Sequence, residues 1–289
     1  MTRAESALRE RLGRDWRRRL VRLSRLRWLR KARIARAYGA SLRRDPRTVL
    51  GFVLLDPEVD TFTYELDNEE ELVAFTAAAL DVAPARAGAL IAEARADPVL
   101  RALDDRVRWR WDFKRRVRFG RRYAWYAIAR ELGPEIVVET GIKDGLGSVL
   151  LLRALERNAA EGRPGRLISF DLYPDKGWLV PPRLRARWTP VFAATRQALE
   201  PALAGLRVGM LVHDSVAQDA EHEYRTALEH AAPRLALVAG TAHHSDALPR
   251  LCAEHDVPYH HFADRPRRHV SPGSSTGVGI FGKGSDPFT

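Results

Sequence analysis

Downstream of Pro134 the chain alternates short β-rich apolar runs with stretches of helical periodicity. EIVVET (135–140) reads as a strand, GLGSVLLLRALERNA (145–159) as a helix, and RLISFDL (166–172) as a strand. VFAATRQALEPAL (191–203) reads as a strand end followed by a helix, and VGMLVHDS (208–215) as a strand. The rhythm continues with AEHEYRTALEHAA as helix, RLALVAG as strand, DALPRLCAEH as helix, PYHHFA as strand and TGVGIFGK as a final strand. Strands that alternate with helices predict a mostly parallel α/β sheet covered on both faces. In such sheets ligands bind beyond the carboxyl ends of the strands, where the strand order reverses. Between the last two strands, SPGSSTGVG (271–279) reads as a flexible loop.

Upstream the pattern is different. Residues 51–66 contain GFVLL and TFTYEL without a helix-strand rhythm, and are expected to form a connector with short strands at most. Asn68 followed by acids and apolar periodicity predicts a helix start, and Pro84 opens one or two further helices. The aromatic and basic stretch from Trp109 to Arg130 should end in a helix before Gly133-Pro134. Its Trp and Tyr residues among arginines could stack on bases, but such aromatics more often cover the edge of a neighbouring sheet, which is the expectation here. Between residues 12 and 38, Leu12, Trp16, Leu20, Leu23, Leu26, Ile34 and Tyr38 fall within an arc of roughly 120° at helical spacing. The pattern reads as a basic amphipathic helix, interrupted by Arg27 and Arg30. It fits an anionic membrane surface or nucleic acid, a docking face on its own domain, or an organellar transit peptide.

The charge distribution sharpens that reading. The net charge is +11, yet residues 1–50 hold 17 Arg and Lys against 4 Asp and Glu, leaving the other 239 residues with 31 against 33. The basic character therefore belongs to one segment. At 289 residues with 45% hydrophobic and 29% charged positions, the chain has a globular composition and room for a sizeable core. Cys252 is its single cysteine, which excludes an internal disulfide framework and a cysteine-based zinc site. No run of about 18 apolar residues occurs, and no secretory signal pattern is seen. The expectation is a cytoplasmic protein, attached peripherally at the inner membrane face if the basic helix binds lipid.

Two constellations stand at strand ends. In VVETGIKDGLGS, Glu139 closes the first strand, Gly141 and Gly145 permit a tight turn, and Gly147-Ser148 opens a helix. The spacing is neither GxGxxG nor GxxxxGK[ST], which disfavours a nicotinamide oxidoreductase or a phosphate loop. An acid before the glycines suits an amino group or a ribose better than a phosphate. In ISFDLYP, Asp171 closes the next strand, where a carboxylate accepts hydrogen bonds from vicinal hydroxyls or caps its own loop.

VVETGIKDGLGSVLLLRALERN, GRLISFDLYPDKGWLVP and LVHDS together resemble the class I S-adenosylmethionine-dependent methyltransferases, especially a bacterial group related to small-molecule O-methyltransferases. The resemblance spans about Arg121 to Lys283 and is strongest over 137–181 and at His213 to Ser215. It implies a Rossmann-like, seven-stranded, mostly parallel sheet with an antiparallel last strand. It also implies S-adenosylmethionine as methyl donor, with Glu139 and Gly141 at its methionine part and Asp171 at its ribose. Gly145, Ser148 and Asp214 complete the expected cofactor set, and His213-Asp214-Ser215 would lie between cofactor and acceptor. The domains expected are a basic helical extension (1–45), a helical lid or accessory region (46–120) and the cofactor-binding domain (121–289).

Methyl transfer from a sulfonium is an in-line displacement, so the protein aligns the acceptor and removes a proton when the nucleophile is a hydroxyl. The candidate bases are Asp214, His213 and His243, with His244 beside it; imidazole is best matched to neutral pH. Two departures from the family pattern matter. The run after HDS is displaced, so that Asp219, His222 and Glu223 come late, and Ala239-Gly240-Thr241 stands where relatives place acids. Those acids help hold a divalent cation in metal-dependent O-methyltransferases. No metal site is therefore expected, His243, His244 and Asp246 forming only a weak transition-metal pattern. The reading is a methyltransferase of a small-molecule, hydroxyl-bearing acceptor, metal-independent or weakly metal-dependent. Its rivals are a degenerate scaffold that has lost catalysis and a nucleic-acid methyltransferase or binder using the basic N-terminus.

Overall fold

The computed structural model describes residues 28–29, 31–32, 35–36, 46–54, 63–109, 116–271 and 273–282. Most of the amphipathic stripe expected over 12–38 lies outside the described residues. The chain divides into two compact units, one formed by Met1–Thr63, Val107–Arg116 and Arg268–Pro272, the other by Tyr64–Arg106, Val117–Arg267 and Gly273–Thr289.

In the first unit, α1 (Pro46–Leu54) corrects the connector expected from residue 51. GFVLL is β-rich by composition, but Val49 and Phe52 sit three apart on one helical face and form a small core with Val270. Pro46 opens the helix, where its missing N–H costs nothing.

The second unit begins with α2 (Glu69–Leu80), α3 (Pro84–Ala96) and the short α4 (Pro98–Arg101). Asn68 precedes α2 as expected, yet its side chain does not cap the helix. It donates to the Ala263 carbonyl and accepts from the Arg265 N–H, tying the helix start to the end of a strand. After a further short helix, α5 (Leu103–Val107), come α6 (Tyr123–Leu132), α7 (Leu146–Ala160), α8 (Thr195–Leu203), α9 (Ala220–Glu229) and α10 (Ala247–Glu254). Ion pairs lock α3 and α4 to α6 and α7. Asp97, fully buried, receives Arg153 at 2.8 Å and Arg157 at 2.7 Å, while Arg130 meets Glu93 and Glu161, each at 2.7 Å.

The strands β1 (Ile136–Thr140), β2 (Arg166–Phe170), β3 (Trp188–Val191), β4 (Val208–His213), β5 (Ala231–Ala239), β6 (Tyr259–Ala263) and β7 (Ser275–Gly282) form one seven-stranded sheet, ordered β3-β2-β1-β4-β5-β7-β6. The first five are mutually parallel and β7 is antiparallel to both neighbours, as the sequence resemblance implies. Ile136, Val138, Phe170, Leu211 and Leu237 pack with Leu199, Tyr224 and Leu251 of α8, α9 and α10. Because side chains alternate along a strand, Val137 and Glu139 then point to the opposite face, beneath α7. The strand order reverses between β1 and β4, which opens a crevice at their carboxyl ends.

β3 ends at Val191, where a strand end is expected, and β7 starts at Ser275, one residue before the expected final strand, so that of the overlapping loop expected over 271–279 the second half is strand. The glycines that suggest flexibility there serve close packing instead: a Cβ at Gly277 would overlap the Tyr259 ring, and one at Gly279 would overlap the Cys252 sulfur.

Candidate active site at the carboxyl ends of the strands

The turn from β1 to α7 is built for close approach. Gly141 (φ +88°) and Gly145 (φ +94°) adopt left-handed backbone, and Lys143 joins them at φ +49°, a conformation costly for a side chain with a Cβ. Asp171, the first residue past β2, holds that turn open. Its Oδ2 accepts the backbone N–H groups of Ile142 (3.1 Å) and Lys143 (3.0 Å), and Oδ1 accepts that of Tyr173 (3.2 Å). The loop after Asp171 is stitched to the same turn by Gly177 N–H to the Lys143 carbonyl (2.9 Å) and Trp178 Nε1–H to Asp144 (2.7 Å). Hydrogen bonds to backbone groups on both sides therefore shape the crevice.

Glu139 lies under this turn with almost no solvent exposure. Ser148 Oγ donates to it at 2.5 Å and Ser169 Oγ at 2.8 Å. Burial pushes its carboxyl up from the ordinary value of 4.5 to about 7, despite the two serine donors, and the nearby Asp214 adds to the rise while Arg122 opposes it. The folded state thus keeps a proton that the unfolded chain gives up between pH 4.5 and 7. Stability should fall as pH rises through that window, by roughly 3 kcal/mol in full. Glu139→Gln removes the penalty, so urea unfolding should find the variant gaining on the native chain between about pH 5 and pH 8. An equal difference at both pH values would contradict the assignment.

At the end of β4 two adjacent residues part company. Asp214 turns toward the Glu139 side, where Thr241 Oγ1 donates to Oδ1 at 3.0 Å and Arg122 Nη2 approaches Oδ2 at 3.5 Å. His213 turns the other way, to α9. Its Nδ1 lies 2.6 Å from Glu223 Oε2, Thr140 Oγ1 donates to the same oxygen at 2.5 Å, and the ring packs edge-on against Tyr224. Glu223 stands ten residues after His213 in the sequence, and α9 brings it back to the ring. His213 is thus buried in a polar network on the far side of the sheet from Glu139.

The end of β5 is held by Arg121. Its Nε and Nη2 donate to the Gly240 carbonyl at 2.9 and 2.7 Å, and Nη1 pairs at 3.1 Å with Asp264, which also accepts from Tyr64 Oη at 2.7 Å. Burial works against the Arg121 charge, but Asp264 and then Asp214 hold its pKa above the ordinary value. Burial, and then Asp264, raises Tyr64. Arg122, beside it, lies over the Trp125 ring at 5.4 Å, and its Nε is buried without a partner. Sequence reasoning marks none of Arg121, Arg122, Asp264, Tyr64 or Glu223 as a site residue.

His243 sits in a short turn (Ala242–His244) just past β5, with its backbone N–H and Nδ1 against Ser275 Oγ at 2.9 and 3.1 Å. Burial, with His244 at a ring distance of 4.1 Å and Arg121 and His261 nearby, keeps its pKa below the ordinary 6.5 against the opposing pull of Asp264. Among the described residues, no three His, Cys, Asp or Glu side chains gather as metal ligands. The rim of the crevice is apolar. Of the described large hydrophobic residues that stay exposed in the second unit, all four (Leu172, Tyr173, Phe192 and Val216) follow closely on β2, β3 or β4. All four stand along the carboxyl-end edge of the sheet, the edge at which ligands of such sheets bind.

Residues 138–240 match a protein family described as a methyltransferase domain. Among solved structures the chain is similar to an O-methyltransferase from Bacillus cereus in complex with SAH (12% identity, 54% of this chain and 77% of that one, TM-score 0.45). It is also similar to the O-methyltransferase TomG from Streptomyces achromogenes, involved in tomaymycin synthesis and in complex with SAM (15% identity, 84% and 98%, TM-score 0.44). A methyltransferase from Geobacter sulfurreducens gives 18% identity, 64% and 90% coverage, and a TM-score of 0.44. No curated protein matches the chain.

Proposed function

From the match of residues 138–240 to a methyltransferase domain, we propose that the chain binds S-adenosylmethionine in the crevice at the carboxyl ends of β1 and β4, with Asp171 past β2 on its flank, and methylates a hydroxyl of a small-molecule acceptor. The observation that carries the reading is the turn at Gly141 and Gly145, with a buried acid below it and an apolar rim beside it. The donor has three chemically distinct parts, and each finds a counterpart. Glu139 suits its ammonium group, Asp171, whose Oδ1 accepts one backbone N–H and keeps a second lone-pair direction, suits its ribose hydroxyls, and Leu172, Tyr173, Phe192 and Val216 suit its adenine. Gly141 and Gly145 let the backbone come close, and Ser148 keeps Glu139 oriented.

S-adenosylmethionine supplies an electrophilic methyl group on a sulfonium. The chain has to orient the acceptor and take its proton. Asp214, fixed by Thr241 and Arg122, is a positioning acid on the cofactor side. His243 is the general base, because its lowered pKa leaves it unprotonated at neutral pH. His213 serves the architecture, with its Nδ1 committed to Glu223. A metal is not required in this reading: Gly240-Thr241 lacks carboxylate oxygen, and Arg122 brings a positive charge to Asp214.

The test is turnover. With a panel of phenolic and aliphatic alcohols, the chain should convert S-adenosylmethionine to S-adenosylhomocysteine in the presence of a chelator. His243→Ala should lower kcat by about 10²–10⁴-fold and leave the cofactor affinity unchanged. Cofactor binding with no turnover on any acceptor would favour the second reading, a scaffold that has lost catalysis, which the glycine and threonine after β5 also suit.

A further inference from the structure

The charge and the unused apolar surface of this protein fall in the same unit. The unit made of Met1–Thr63, Val107–Arg116 and Arg268–Pro272 holds 23 Arg and Lys against 8 Asp and Glu, whereas the rest of the chain holds 25 against 29. Large hydrophobic residues that stay exposed among the described positions divide just as sharply. Four form the crevice rim, and the other five, Trp28, Leu29, Leu50, Leu54 and Trp109, all belong to the basic unit.

Their arrangement is that of a surface. On α1, Val49 and Phe52 face the small core with Val270, while Arg47, Leu50 and Leu54 share an exposed stripe at helical spacing. Lys31 Nζ donates to the Phe52 carbonyl at 2.6 Å and lies 5.8 Å from the Trp28 ring centre, which pins the segment bearing Trp28 and Leu29 to the last turn of α1. Two pairs of exposed apolar side chains are therefore held together by one buried lysine.

We infer that this unit docks on an anionic phospholipid bilayer, with Leu50, Leu54, Trp28 and Leu29 entering the acyl boundary, and Arg47 on the same stripe and the unit's excess of basic residues meeting the headgroups. Nucleic acid would satisfy the charge but not the leucines, which offer no ring to stack on a base. A second copy of the unit would bring like charges together. Among the described residues no single helix is long and apolar enough to cross a membrane, so the contact lies on the bilayer. The inference is independent of the methyl-transfer reading.

The test is flotation of the full chain with vesicles of phosphatidylglycerol and phosphatidylcholine in equal parts, against pure phosphatidylcholine. Binding to the anionic vesicles should be at least tenfold tighter, and the double substitution Leu50→Ser with Leu54→Ser should weaken it at least tenfold. Both side chains are exposed, so the variant should keep the unfolding midpoint of the native chain. Three results would overturn the inference: no binding to anionic vesicles, equal binding by the double variant, or self-association that the double variant abolishes. Tighter binding to duplex DNA or RNA that the double variant leaves unchanged would overturn it as well, and reassign the unit to nucleic acid.

Discussion

Gly141→Ala is expected to abolish S-adenosylmethionine binding, with affinity falling by two orders of magnitude or more. Two costs combine at this position. The backbone φ of +88° is strained for any L side chain, by about 1–3 kcal/mol. The added Cβ would also overlap the backbone of Asp214, reaching 2.7 Å from its carbonyl carbon. Neither neighbour has room to yield, since Gly141 N–H is bonded to the Phe170 carbonyl (2.8 Å) and Asp214 N–H to that of Thr140 (2.9 Å). Relief must come from moving the turn that Asp171 holds. Gly162→Ala is the control, because Gly162 has φ +83° and a methyl group added there would meet nothing within 4 Å. It should show the backbone cost in unfolding experiments and leave cofactor affinity intact. Equal cofactor affinity in the Gly141 variant and the native chain would contradict the site.

The largest loss of stability should follow Arg121→Met, at about 3–5 kcal/mol. Asp264 has no solvent exposure in its side chain, and its Oδ1 already lacks a partner, so removing the guanidinium leaves a buried carboxylate with only Tyr64 for support. The Gly240 carbonyl loses both its donors from Arg121 at the same time. Arg121→Lys should recover only part of the loss, because one ammonium cannot reproduce the fork that spans Gly240 and Asp264. Urea unfolding at neutral pH measures both variants. A loss under about 1 kcal/mol for Arg121→Met would mean that the pair is solvated in solution.

What was legible in the sequence, and what was not, follows from the range of the interactions. β1, β2, β4 and β5 announce themselves because a sheet covered on both faces needs uninterrupted apolar runs, and Leu146–Ala160 because a run of that length, rich in Leu and Ala and opened by glycine, is too long for a strand. Asp171 was legible as an acid at a strand end, although its hydrogen bonds to the Ile142 and Lys143 amides were not. The pairing of His213 with Glu223 depends on the phase of α9 after an altered loop, which spacing alone does not set. Arg121 meets Asp264 across 143 positions and Tyr64 meets Asp264 across 200. No local pattern marks such partners, and Arg121 stands in a run of arginines that look alike. At β7 two readings overlap in the sequence, a loop over 271–279 and a strand from Thr276, and the packing of Gly277 against Tyr259 and of Gly279 against Cys252 decides for the strand.

Calorimetric titration with S-adenosylmethionine and S-adenosylhomocysteine tests directly whether the crevice beside Asp171 is a nucleoside site. The native chain should bind both at one site with micromolar or tighter affinity, and Asp171→Asn should weaken both by at least tenfold while unfolding as cooperatively as the native chain. Absence of heat and of competition from either nucleoside in the folded native chain would contradict the site.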